Sequence, residues 1–164
     1  MSASPVTEIK HPADGRIKPA VICAIQDSRN KVTAVQRIFL RPDGMNKTHV
    51  RPEKPVLGPM GDGAVRLGPA GRVMGLAEGP ETALSAQQIF SLPVWCSCGA
   101  ARMKRVVFPK HVRSVYISAD KGKPGMNAAA EAAEGLEHQG CQAVIQAPPE
   151  GDWNDALMAG ERVA

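Results

Sequence analysis

From residue 72 onward the chain alternates short apolar runs with stretches that carry helix signals, and few folds accept that alternation. Residues 73–77, V-M-G-L-A, are apolar or small throughout, as in a strand buried on both faces. They stop at E-G-P-E, and residues 82–90, T-A-L-S-A-Q-Q-I-F, continue as a helix with Pro80 in its first turn, where a missing backbone donor costs nothing. Residues 94–98 and 114–119 repeat the apolar run, and the second run ends on Asp120. K-G-K-P-G then leads into an Ala-rich helix expected over 126–137 and stopped at Gln139-Gly140. A fourth strand over 142–146 and a short helix over 153–158 complete the series. Such a series makes βαβ units with parallel pairing.

The front of the chain reads differently. Residues 20–26 and 32–40 are β-branched runs separated by D-S-R-N-K, which predicts a hairpin. Residues 51–71 hold four prolines and five glycines, too many for long regular structure, with room for one short strand at 63–67. Residues 1–18 are polar and contain Pro5 and Pro12, which predicts a flexible arm. The expected organisation is therefore an arm (1–18), a basic β-rich subdomain with a Pro/Gly-rich connector (19–71), and an α/β domain (72–164).

At 164 residues the chain can bury one ordinary core. No run approaches the roughly 18 apolar residues of a membrane span, and the N-terminus lacks the apolar centre of a signal peptide. A cytoplasmic protein with no membrane partner is expected. Cys96 and Cys98 are separated by one residue, tighter than zinc-knuckle spacing, and no His pair follows, so no zinc is expected and buried reduced thiols are. The net charge of +4 is divided unevenly: residues 1–72 carry 12 Lys or Arg against 6 Asp or Glu, and residues 73–164 carry 8 against 10. A basic front beside convergent carboxylates suits a polyanion held near a metal, and a solvated basic surface is the alternative. Aromatics are only 4% of residues, which limits base stacking.

Glu78, Asp120 and Asp152 each follow an expected strand, where open α/β sheets gather ligands. Two or three such carboxylates satisfy a hard cation such as Mg²⁺, which keeps several waters. Asp152 also has the setting of a helix cap. Between Glu81 and Asp120 there is no acidic residue, whereas Arg102, Lys104, Arg105, Lys110 and Arg113 fall there, a segment suited to phosphates or to solvent. Lys121 and Lys123 flank Asp120 in a glycine turn entering a helix, a second place for phosphate oxygens.

The order of an apolar strand, E-G-x-E-T-A-L, a strand ending in A-D, a glycine turn, an Ala-rich helix and D-W-N-D-A-L resembles the topoisomerase-primase (Toprim) domain, especially that of phage and plasmid primases and primase-helicases. The resemblance covers about residues 72–160, and the basic β-rich segment before it is similar to the piece preceding Toprim in those proteins. It implies a compact, mainly parallel four-stranded sheet between helices. It also implies Mg²⁺ or Mn²⁺ at Glu78, Asp120, Asp152 and Asp155, with Glu78 and Asp120 catalytic in phosphoryl transfer. The implied partners are nucleic acid, single-stranded DNA first, and a helicase or other replication protein of a phage, plasmid or other mobile element. Lys121, Lys123, Arg102, Lys104, Arg105, Arg37, Arg41 and Lys47 are the expected phosphate contacts. The family's D-x-D pair is broken, because position 122 is Gly122, so reduced metal affinity is expected. No zinc-ribbon cysteine set and no G-x-x-x-x-G-K-[ST] loop is present in these residues. Two readings stand: a primase-like phosphoryl-transfer module that needs a partner, with nuclease activity less favoured, and a catalytically degenerate accessory or inhibitory module that binds nucleic acid or protein.

Overall fold

The computed structural model describes residues 7–161. Four strands, β6 (Val73–Ala77), β7 (Val94–Cys96), β8 (Ser114–Ser118) and β9 (Gln142–Gln146), pair in parallel in the order β7-β6-β8-β9. Side chains alternate across them as the pleat demands. Met74, Leu76, Val115 and Ile117 face α2 (Lys123–His138) and meet its Ala129, Ala132 and Leu136. Ala77, Val94 and Cys96 face the other way, onto Ala83 and Ala86 of α1 (Pro80–Phe90). The short helix α3 (Trp153–Met158) adds Trp153 and Ala156 against Ile89 on the α1 side. The expected mixed α/β fold with flanking helices and a β-rich front is therefore present. A 3₁₀ helix, Ala100–Arg105, which the basic stretch did not announce, buries Met103 under α2.

The front is built on the expected hairpin, β2 (Ile17–Gln26) with β3 (Val32–Phe39). Asp27 closes its turn, with Oδ1 accepting from the N–H groups of Arg29 and Lys31, both at 2.9 Å. Two shorter strands follow, β4 (Val56–Leu57) on β3 and β5 (Ala64–Arg66) on β2.

The flexible arm expected over 1–18 is corrected from residue 7 onward; residues 1–6 lie outside the described residues. Strand β1 (Thr7–Lys10) pairs antiparallel with β2 through a turn in which His11 N–H donates to Arg16 O at 2.8 Å. His11 is fully buried, edge-on to Phe39 at 4.4 Å between centroids. Its Nδ1 accepts from Ala13 N–H and its Nε2 lies 3.2 Å from Pro52 O, so both ring nitrogens are used. A polar composition with two prolines masked a hairpin whose signal was P-A-D-G at residues 12–15.

The boundary expected between residues 71 and 72 falls in the connector, yet the sheet runs across it. Strand β5 pairs antiparallel with β7 through Val65↔Cys96 and Arg66↔Trp95, giving one nine-stranded sheet. Ile25, Ala34 and Val65 of the front share one core cluster with Ala77, Ala83, Val94 and Cys96. No helix among the described residues is long and apolar enough to cross a membrane. A fragment of residues 72–164 is expected to lose cooperative thermal unfolding, because β7 becomes a bare edge and half of that cluster is removed. Circular dichroism of the fragment checks this, and a sharp transition near that of the whole chain contradicts it.

Candidate functional site

Because β6 to β9 are parallel, their carboxyl ends share one edge of the sheet. The chain moves from β6 outward to β7 on one side and from β8 to β9 on the other, so the winding reverses between β6 and β8. At such a reversal the helices leave to opposite faces and open a crevice beyond the strand ends. Glu78 follows β6 directly, and Asp120 lies two residues beyond β8. Pairing of Ala77 with Ser118 thus places the two carboxylates side by side at the crevice.

Their nearness is visible in the electrostatics. Burial raises the Glu78 pKa above its ordinary value, and the adjacent charge of Asp120 and a hydrogen bond with it push the same way. The Ala100 N–H and the Lys54 ammonium act in opposition and are outweighed. The Glu78 main chain is fixed from the β7 side. Its carbonyl accepts from Gly99 N–H at 3.1 Å and from the Cys96 thiol at 3.2 Å, while Ser97 Oγ donates to Gly99 O at 3.0 Å.

Asp152 and Asp155 are placed differently. Asp152 is the N-cap of α3, with Oδ1 accepting from Asn154 N–H at 2.8 Å and Asp155 N–H at 2.9 Å. Asp155 returns the contact, its Oδ2 accepting from Asp152 N–H at 3.1 Å, which completes a capping box. Trp153 next to them donates from Nε1 to Ala119 O at 3.0 Å, tying α3 to the residue before Asp120. Among the described residues no group of three or more His, Cys, Asp or Glu side chains is arranged to hold a metal ion. The structure joins Glu78 to Asp120 and leaves Asp152 and Asp155 occupied with the helix start.

Of the basic residues expected at phosphates, Lys121 lies beside Asp120 with Nζ donating to Pro149 O at 3.0 Å, and Lys123 opens α2 exposed to solvent. Arg105 is exposed, whereas Lys104 pairs with Glu131 at 2.8 Å. Arg102 is turned inward: Nε donates to Ser97 O at 3.0 Å and Nη2 to Gly63 O at 3.1 Å, so it clasps the connector onto the turn after β7. Its guanidinium is thus engaged with main-chain carbonyls. Arg37 and Arg41 are half-buried, each with a buried Nε that has no partner. Lys47 lies 3.3 Å from Glu81.

Lys54 was not anticipated. It projects from the connector and donates to Glu81 at 2.8 Å, beside Glu78. Burial disfavours the Glu81 carboxylate, but Lys54 and Lys47 together hold its pKa below the ordinary range. Three cysteines gather nearby. Cys96 and Cys98 sulfurs are 3.8 Å apart, and burial with the Cys98 charge lifts the Cys23 thiol to about 11. The Cys98 thiol is held below its ordinary value by the Cys96 hydrogen bond, and Cys96 is raised well above its own. Only the C-x-C spacing was visible in sequence; no local signal marks Lys54, which lies between Pro52 and Pro55.

A parallel sheet with paired carboxylates at its switch point and a basic front sheet fused to its edge defines an α/β protein of the Toprim class. Residues 73–162 match the Toprim domain, and the chain belongs to that family. Residues 3–67 match a domain of unknown function, DUF7146. No curated protein matches the chain. The fold is similar to the primase fragment of the bacteriophage T7 primase-helicase protein, with TM-score 0.68, 16% identity, and coverage of 93% of this chain and 61% of that one. It is also similar to a DNA primase domain from Pseudomonas aeruginosa, with TM-score 0.59, 18% identity, and coverage of 93% and 52%. The zinc-binding and RNA polymerase domains of the Aquifex aeolicus primase give TM-score 0.60, 16% identity, and coverage of 93% and 40%. The chain thus spans less than two thirds of each of these structures.

A carboxylic acid whose pKa is higher in the folded state binds its proton more tightly there. Stability therefore falls as pH rises from the unfolded value of 4.5 through the raised value of Glu78, and stays lower above it. Glu78→Gln removes this term while keeping an acceptor for Ala100 N–H. The variant is expected to melt above wild type at pH 7 and to lose that advantage below about pH 4. Melting curves across pH check this; a variant less stable at pH 7 contradicts it.

Proposed function

We propose that this protein is a Toprim-type, Mg²⁺-dependent module for phosphoryl transfer on nucleic acid, most simply primer synthesis in the replication of a phage, plasmid or other mobile element, working with a partner protein. The observation that carries this reading is the Glu78–Asp120 pair at the switch point. A Glu78 carboxylate whose ionisation is disfavoured by burial and by the neighbouring Asp120 fits a divalent cation, and Mg²⁺ needs only one or two carboxylates when substrate phosphates and waters complete its shell. When bound there, Mg²⁺ supplies Lewis-acid stabilisation of charge developing on a phosphoryl group.

The remaining work belongs to the chain. Asp120 and Glu78 are the proposed holders of the cation, and the alternative role of Glu78 is general acid or base at an attacking hydroxyl, which its raised pKa supports. Lys121 and Lys123 meet phosphates at the start of α2. Lys54 is displaced from Glu81 toward the same phosphates. Arg37, Arg41 and Lys47 on the front, together with Arg51, an exposed arginine 3.7 Å from Glu53, guide a single-stranded template. A helicase or another replication protein is the proposed partner, in keeping with the likeness to a primase-helicase fragment.

A second reading is favoured by Gly122 and by the closed capping box of Asp152 and Asp155, which leave the pair without a third carboxylate. In it the chain is an accessory or inhibitory module that binds nucleic acid or a protein without metal.

Calorimetric titration of Mn²⁺ and Mg²⁺ into wild type, Glu78→Gln and Asp120→Asn separates the two. Binding in wild type that is lost in both variants, and is kept in Asp152→Asn, is the expected result. No binding in any of them, together with metal-independent binding of single-stranded DNA that is lost when Arg37, Arg41, Lys47 and Arg51 are neutralised, establishes the second reading instead.

A further inference from the structure

The C-x-C segment is not used by the phosphoryl-transfer reading, and its geometry is unusual. In an extended strand, side chains two residues apart lie on one face about 7 Å from each other. Here Cys98 leaves β7 with φ of +60°, a conformation rare for a residue with a Cβ, and this turn brings its sulfur within 3.8 Å of Cys96 Sγ. The Cys98 N–H also donates to Cys96 Sγ at 3.3 Å. Exposure divides the pair: Cys96 is fully buried and Cys98 is half-buried with access to solvent. Arg102 and Lys54 place positive charge near Cys98, favouring its thiolate. Cys141 packs on the opposite face of the sheet, in the cluster under α2.

We infer that Cys96 and Cys98 form a reversible thiol–disulfide pair that hydrogen peroxide oxidises through Cys98. The Cys98 thiolate attacks one peroxide oxygen, the O–O bond breaks, and hydroxide leaves and is protonated to water, giving a sulfenic acid at Cys98. The Cys96 sulfur then displaces the hydroxyl group from the Cys98 sulfur, forming the S–S bond and releasing a second water with the Cys96 proton. The two sulfurs together lose two electrons, and peroxide gains them. A dithiol reverses the reaction by exchange.

The pair sits against Glu78. Oxidation removes the thiol proton that Cys96 donates to Glu78 O, leaving Gly99 N–H as the main-chain donor at that carbonyl. The redox state of the pair is thereby linked to the backbone that sets the Glu78 carboxylate. The inference stands on the thiols and does not depend on metal binding, so its test and that of the proposed function fail separately.

The whole chain is exposed to a small molar excess of hydrogen peroxide. Free thiols are then alkylated in denaturant and counted by mass spectrometry without reduction. Two of the four thiols are expected to disappear, with the peptide carrying both Cys96 and Cys98 lighter by two hydrogens, and dithiothreitol restores them. Cys98→Ser is expected to keep its remaining three thiols, and Cys96→Ser to accumulate a dimedone-reactive sulfenic acid at Cys98. Cys141→Ser, remote from the pair, is expected to form the bridge as wild type does. Four surviving thiols in wild type, a bridge to Cys23 or Cys141, or a cross-link between chains overturns the inference.

Discussion

Antiparallel pairing of β5 with β7 is the contact on which the rest of this molecule depends. Only two residue pairs are involved, Val65↔Cys96 and Arg66↔Trp95, but they join a basic front sheet to the free edge of a parallel one. Arg66 shows how much is gathered there. Its guanidinium lies 4.3 Å from the centroid of the Trp95 ring, and it donates to Asp27 O at 2.6 Å and to Asn30 Oδ1, so one side chain holds the hairpin turn, β5 and the α/β core together. Without that junction the connector would have no fixed course. With it, Lys54 arrives beside Glu81 and Glu78, and Cys23 arrives beside Cys98.

The electrostatics of the crevice follow from this arrangement. The α/β domain alone places Glu78 next to Asp120 with burial and like charge both acting against ionisation. The front sheet contributes the opposing sign, and it does so mainly one turn away, at Glu81, where Lys47 and Lys54 bring two ammonium groups to one carboxylate. Glu81 keeps those cations beside Glu78 without neutralising the Glu78–Asp120 pair. Exposed ion pairs of this kind are weak enough to be exchanged for another anion.

Much of this is readable from residues. The V-M-G-L-A run, the T-A-L-S-A-Q-Q-I-F helix, the three strand-like runs after it and the closing D-W-N-D-A-L carry period and punctuation strong enough to place β6 to β9, α1 and α3 nearly to the residue. Glu78 and Asp120 follow, because a carboxylate directly after a buried parallel strand has only one edge of the sheet to occupy. What is not legible depends on distant parts of the chain meeting. Thr7–Lys10 is a strand because β2 offers it an edge, and His11 is buried because Pro52 O and Phe39 lie across from it. Arg102 looks like its basic neighbours until the connector carbonyls of Gly61 and Gly63 come within reach of it. Lys54 carries no local mark at all.

The loop after Asp120 bears on how the missing carboxylate should be understood. Gly122 has φ of +103°, and a Cβ built there meets little, Pro124 Cδ at 3.9 Å being its nearest neighbour. Space would admit an aspartate, but backbone conformation does not, since side chains rarely adopt that φ. Three residues on, a Cβ at Gly125 would stand 2.2 Å from Asp120 O, so the first turn of α2 packs on the Asp120 carbonyl in a way only glycine allows. The turn K-G-K-P-G is thus formed around its two glycines, which set the Asp120 backbone, with Pro124 in the first turn of the helix. The absence of a carboxylate at position 122 thus goes with a backbone turn that only glycine readily adopts, with the exposed Lys121 and Lys123 on either side of it. Under the proposed function, a cation at this site would have its shell completed by substrate phosphates and water more than by side chains.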